Sequence, residues 1–165
     1  MRKILGIDPG VDGGLSIIDE QFNLIACTPM PTIKFDGKKR RVDPRPVFDF
    51  IALHAPELAI VELVGAMPGN GVTSMFNFGD AFGVVRGIAE CLCQDVRYSR
   101  PQEWRGYQSL SGLSKEQIAE IAYEVFGESQ IYGKPYKRKG EIKRKTCDGI
   151  SDSLMIAKFG VRFLE

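Results

Sequence analysis

The sequence predicts an α/β chain built on a five-stranded mixed sheet, an antiparallel meander continued by parallel strands and flanked by helices. Three observations carry this. Short apolar runs bounded by turn residues recur early, at residues 3–7, 13–18 and 22–28. The apolar run 58–61 and the strand-like segment 95–99 each follow a helical stretch, the connection that parallel strands need. The last third then carries two helical patterns.

Taken in order, residues 3–7 are expected to be a buried strand ending at the turn signal Asp8-Pro9-Gly10. Residues 13–18 make a second strand, Asp19-Glu20 a turn, and 22–28 a third. Residues 30–45 are basic and hold Pro31 and Pro44, which predicts a loop. A helix is expected over 46–54, then the strand 58–61 with Glu62 at its end, then a loop over 66–71. Residues 72–92 are helical in pattern, with Gly79, Gly83 and Gly87 recurring every four residues. Such a stripe implies close packing against another helix or sheet. Residues 101–111 read as mixed loop and turn. Ser114 caps a helix running to Phe126, with Ile118, Ile121, Ala122 and Val125 on one apolar face. The basic segment 132–145 follows, and a last helix over about 147–159 turns Ile150, Leu154, Ile156 and Ala157 inward. With 165 residues, no repeats and no low-complexity linker, a single domain over 1–165 is expected.

Net charge is only +1, but its distribution is uneven. Residues 34–45 carry a local +4 and residues 134–145 a local +6, which leaves −9 on the rest. Basic blocks on an acidic body suit a polyanion touched at chosen places, and equally two solvated loops. Cys27, Cys91, Cys93 and Cys147 form no Cys-x-x-Cys pair, and His54 is the only histidine. That excludes a zinc site of ordinary spacing and favours free thiols in a reducing cytoplasm. No signal peptide and no apolar run of membrane length are present.

Four acids stand where chemistry needs them. Asp8 closes the first strand and Glu62 the fourth, so both would meet at the carboxyl edge of a parallel pair. Asp148 and Asp152 are four residues apart at the start of the last helix and share a face. An oxygen-only set suits hard divalent cations, and two such ions can clamp a phosphodiester. Taken singly, Asp8 equally suits a turn, Glu62 a strand end, and Asp148 a helix N-terminus. Asp152, inside an apolar helix, is harder to explain as surface.

These residues resemble a known family. Gly6-Ile7-Asp8-Pro9-Gly10 with Gly13-Gly14 looks like the opening of the RuvC family of Holliday junction resolvases. Ile60-Val61-Glu62 looks like its second acidic motif, and the run from Asp148 through Asp152 to Ala157 like its C-terminal one. The stretch from Met67 to Gly79 is similar to the phage-borne branch. The resemblance implies a ribonuclease-H-like fold and a cytoplasmic homodimer of a bacterial cell, encoded by the bacterium or by a phage. It implies a crossover junction endodeoxyribonuclease of DNA recombination and repair that nicks four-way junctions symmetrically. Asp8, Glu62, Asp148 and Asp152 would be the catalytic residues and the ligands of two Mg²⁺ or Mn²⁺ ions. One departure stands out: the family's last two acids are three residues apart, and here Gly149 holds that position while Asp148 lies one earlier.

Arg105 and Lys115 fall where the family contacts DNA, and Lys137, Arg138 and Lys139 supply further basic contacts. Met67 and Phe76, with Phe78, are candidates for stacking on unpaired bases. For Phe76 and Phe78, packing in the core is the stronger reading. The same acids would also serve a broader branched-DNA nuclease (flaps, three-way junctions) or an RNA–DNA hybrid nuclease. A catalytically silent junction-binding module is a further alternative. A sugar-kinase or actin-like ATPase shares the Gly-Ile-Asp opening but needs two lobes.

Overall fold

A computed structural model describes every residue except Lys38, Ala66, Met67, Pro68, Asn70, Glu128, Lys139 and Glu165, and omits the side chains of Asp36, Ser129, Tyr136, Arg138 and Lys143. Strands β1 (Lys3–Asp8), β2 (Gly14–Asp19) and β3 (Leu24–Pro29) form the expected meander. A second hairpin, β4 (Thr32–Asp36) and β5 (Lys39–Val42), leads into α1 (Pro44–His54). Then come β6 (Leu58–Glu62), α2 (Val72–Leu92), β7 (Asp95–Ser99), α3 (Pro101–Tyr107) and α4 (Lys115–Phe126). A third hairpin, β8 (Tyr132–Arg138) and β9 (Glu141–Thr146), precedes α5 (Asp148–Gly160).

The main sheet has the order β3-β2-β1-β6-β7. β2 runs antiparallel to β1 and β3, while β6 runs parallel to β1 and β7. Both faces are covered, which is why the strands read as continuous apolar runs. Ile4, Ile18, Leu58 and Ile60 join one core with α3, α4 and α5. Their strand neighbours Leu5, Ile17, Ala59 and Val61 join the other, with α1 and α2.

α5 lies against β1 and β2 and is buried along nearly its whole length. Glycine makes this approach possible. A Cβ on Gly6 would sit 2.0 Å from the Ser153 carbonyl oxygen, and one on Gly14 2.4 Å from that of Gly149. The hydroxyls of Ser16 and Ser153 meet at 2.6 Å across the same seam. Asp19 fixes the next turn by accepting from the Gln21 and Asn23 backbone amides and the Asn23 side chain.

Four expectations are corrected. Residues 30–45 are not all loop, because β4 and β5 pair and Val42 anchors them in the core. The helix after them starts earlier, at Pro44, where proline suits the first turn and Asp43 accepts from the Arg45 amide. Residues 101–111 contain α3, opened by Pro101 and closed back by Glu103 on the Arg100 amide at 2.8 Å. The Gly79/Gly83/Gly87 stripe packs against no other element of this chain among the described residues, since a Cβ on each would meet open space. α2 turns Ala81, Val85 and Ala89 inward instead. The glycines sit two residues away, about 200° around the helix, on the opposite face.

Gly6→Ala must push α5 off β1. Overpacking of this kind costs about 1–3 kcal/mol, so circular-dichroism melts should show Tm lower by roughly 3–10 °C. Gly65→Ala, which adds a methyl to open space, should leave Tm unchanged.

Candidate active site

Asp8 and Glu62 end neighbouring parallel strands whose register pairs Ile7 with Val61, so both carboxylates leave the same sheet edge side by side. The close seat of α5 brings Asp152, 8% exposed, onto them. The three interact electrostatically, and Asp148 reaches the group through Asp152. Burial, then the charge of Asp152, pushes Asp8 up to about 7. Burial, then Asp8 and Asp152, pushes Glu62 up to about 8. Asp152 rises to about 6, again chiefly by burial, with Arg105 opposing. The Trp104 indole N–H favours an ionised Glu62 but lacks a hydrogen bond of proper geometry.

Asp148 differs. Partial burial would raise it, but hydrogen bonds hold its carboxyl below the ordinary value. Thr146 donates to Oδ1 at 2.6 Å and Lys115 to Oδ2 at 3.0 Å. Arg105, at the end of α3, turns its guanidinium onto Asp152 at 3.6 Å. A cleft of about 480 Å³ opens over Asp8, Asp148, Asp152 and Lys115, walled by the β1–β2 loop, Arg40, Ser74, Asn77 and Phe78. A neighbouring groove of about 350 Å³, reaching Gly133 and Lys145 beside the β8–β9 hairpin, meets it at Arg40 and Asp148.

No protein-family model and no curated protein matches the sequence. Solved structures do match. RuvC of Thermus thermophilus in complex with Holliday junction substrate superposes with TM-score 0.65 at 19% identity, covering 99% of this chain and 96% of that one. The yeast mitochondrial Holliday junction resolvase Ydc2 gives 0.62 at 12%, over 98% and 78%. The fowlpox virus Holliday junction resolvase gives 0.52 at 17%, over 98% and 99%. The chain has the ribonuclease-H-like fold of the RuvC-type resolvases. At these identities the likeness is one of architecture, and roles for residues rest on their chemistry.

On this RuvC-type fold, Asp8, Glu62 and Asp152 come together, with Asp148 at the rim held by two other partners. Lys115 lies at the cleft, while Arg105 is directed inward. Phe76, expected in the core, is 75% exposed, and Phe78 lines the cleft. Lys137 is exposed on β8. Met67 and Lys139, and the Arg138 side chain, lie outside what the structure describes. Sequence reasoning missed Arg40, which pairs with Asp12 at 2.7 Å, and Thr146. Arg40 counted there only as one charge in a basic run, and no local signal marked Thr146.

Gly149 explains the shifted acid spacing. A Cβ there would lie 2.2 Å from the carbonyl carbon and oxygen of Gly13, so no acid fits at that position.

Among the described residues, no three His, Cys, Asp or Glu side chains stand at metal-holding spacing. The chemistry of the donors nevertheless fits a hard divalent cation. All are carboxylate oxygens; Asp152 is buried and Asp8 and Glu62 are half-buried, with their mutual repulsion only partly offset by Arg105 and Lys115.

An acid whose pKa rises on folding makes the native state bind more protons than the unfolded one between the two values, so stability falls as pH rises through that window. In EDTA, Tm should therefore drop from pH 5 to pH 8, across the values of about 6, 7 and 8. Glu62→Gln should flatten that decline, and millimolar Mg²⁺ or Mn²⁺ should raise Tm more at pH 8 than at pH 5. A pH-independent Tm in EDTA would contradict the strained-acid account.

Proposed function

We propose that this chain, acting through a single nuclease domain, is a divalent-metal-dependent endodeoxyribonuclease that nicks four-way DNA junctions symmetrically as a homodimer. The observation that carries this reading is the convergence of Asp8, Glu62 and Asp152 from three elements into one oxygen-only cluster, of which Asp8 and Asp152 line a cleft. The fold likeness supports the choice of substrate, since the neighbours bear the names of Holliday junction resolvases.

In this reading Asp8, Glu62, Asp148 and Asp152 would hold two Mg²⁺ or Mn²⁺ ions. Bound there, such ions would supply Lewis acidity for hydrolysis of a phosphodiester by water. The protein's own groups do the rest. Arg105 keeps Asp152 in place and favours its ionised form. Lys115 releases Asp148 and turns its ammonium to a phosphate oxygen. The β8–β9 hairpin offers exposed Lys134, Lys137 and Arg144 to the DNA backbone. The bare outer stripe of α2, Gly79, Gly83 and Gly87, lets a second copy approach closely.

The test is a panel of labelled DNAs with Mg²⁺ and with EDTA: four-way junction, three-way junction, flap, linear duplex and RNA–DNA hybrid. Paired nicks confined to the four-way junction and lost in EDTA are expected. Similar cutting of several branched forms would make it a general debranching nuclease, and cutting of none a binding module. Asp8→Asn and Asp152→Asn should each lower cutting by at least about a thousandfold while junction binding survives, because binding rests on phosphate contacts. Normal cutting by either variant sinks the metal-site assignment.

Replacing Lys134, Lys137 and Arg144 with Ala should weaken junction binding and reduce the slope of log K against log salt by about 2–3. An unchanged slope would make the hairpin a bystander.

A further inference from the structure

Both oxygens of the Asp148 carboxylate are taken. Thr146 donates to Oδ1 at 2.6 Å and Lys115 to Oδ2 at 3.0 Å. The two donors differ in how firmly they are themselves fixed. Lys115 reaches over from the start of α4 on a long aliphatic stem, and its side chain is 66% exposed. Thr146 is the last residue of β9 and is pinned from two directions. It pairs in register with Tyr132 of β8. The amide of the following residue, Cys147, donates to the Ile131 carbonyl at 2.6 Å, and Ile131 is fully buried. With its backbone held and its branched Cβ restricting rotation, the Thr146 hydroxyl has little freedom.

The donors also stand on different sides of the carboxylate. Thr146 lines the groove beside the β8–β9 hairpin, Lys115 lines the catalytic cleft, and Asp148 lines both. Asp8 and Asp152 are in the cleft wall with Lys115. Lys115 can swing aside when a cation occupies the cleft, because like charges repel and its stem is loose. Thr146 has no such reason to move, and a short hydroxyl-to-carboxylate bond is among the stronger hydrogen bonds. The backbone of Asp148 is set by the seat of α5, so the rotation of its carboxylate is what remains to be fixed.

We propose that Thr146 is a positioning residue, whose hydroxyl holds Oδ1 of Asp148 so that Oδ2 faces the cleft as the one oxygen this residue offers a divalent cation. The inference rests on the proposed role of Asp148 as a metal ligand and names the group that orients it. It also gives the end of the β8–β9 hairpin a task in the site apart from touching DNA.

The test uses the full chain without DNA and Mn²⁺ as the probe, with free and bound Mn²⁺ told apart by electron paramagnetic resonance. Thr146→Val keeps the shape of the side chain and removes the donor, whereas Thr146→Ser keeps the donor. Partners behind a metal ligand act strongly on affinity, so Thr146→Val should weaken binding of one Mn²⁺ by about 10–100-fold and Thr146→Ser by less than about threefold. Should Thr146→Val not fold, Thr146→Ala carries the same expectation. In junction cutting, the Mn²⁺ concentration for half-maximal rate should rise by the same factor in Thr146→Val, while the rate at saturating Mn²⁺ stays close to that of the wild type. Unchanged Mn²⁺ affinity in a folded Thr146→Val chain overturns the proposal. So does Thr146→Ser binding as weakly as Thr146→Val, or a loss confined to the saturated rate. Wild-type binding with an unaffected variant removes the role of Thr146 alone, whereas a wild type that binds no Mn²⁺ removes the metal-site reading and this inference with it.

Discussion

Everything at the sheet edge depends on how closely α5 can lie on β1 and β2. A helix normally rides on a sheet through its side chains. Here the helix backbone nearly touches the strands, because Gly6, Gly14 and Gly149 remove the methyls that would hold it off. Gly160 does the same at the far end, where a Cβ would come 2.7 Å from Ile4 and Ile60. The seam fixes both the height and the rotation of α5. With those set, Asp152 has one place to go, beside Asp8, and Glu62 follows from the parallel register of β6. The acids are thus gathered by backbone packing and not by any bond among themselves.

Gathering them has an electrostatic cost that the fold meets only in part. Arg105 faces Asp152 and Lys115 faces Asp148, but no described cation is paired with Glu62 or Asp8 at contact distance. The packing that makes the cluster therefore works against ionisation of its members. Asp148 is satisfied by Thr146 and Lys115 and stands ready at lower cost. Two kinds of carboxylate result, one strained and one already partnered.

How much of this was legible in the sequence follows from what each element packs against. The central strands β1, β2 and β6 were readable because both sheet faces are covered there and their residues are mostly apolar, whereas the edge strand β7, Asp-Val-Arg-Tyr-Ser, is largely exposed. The hairpins were not readable. Lys-Arg-Arg-Val in β5 and Glu-Ile-Lys-Arg-Lys-Thr in β9 have no apolar alternation, since neither strand has a buried face of its own. α3 escaped notice because seven residues starting at a proline give too little periodicity. The glycine stripe of α2 meets no described element of its own chain, because spacing fixes which residues share a face but not which partner covers it. Among site residues, Asp8 and Glu62 were visible as acids ending apolar strands, and Asp152 as an acid in an apolar helix. Arg40 reaches Asp12 across 28 residues of sequence, which no local pattern records, and Thr146, two residues before Asp148, stands at the end of a basic run that hides it.

The tight fit of Gly149 against Gly13 also bears on how this site can change by descent. A side chain cannot enter the position after Asp148 while the β1–β2 loop keeps its course, and in the proposed role Asp148 cannot be given up while that position stays closed. The two residues, one a carboxylate and one the absence of a side chain, are bound as a pair. Substitution of either alone passes through a form that lacks an acid or collides with the loop. Recovering the three-residue spacing would need at least two coordinated changes. A lineage that adopts this register is held in it by sterics, whatever its substrate becomes.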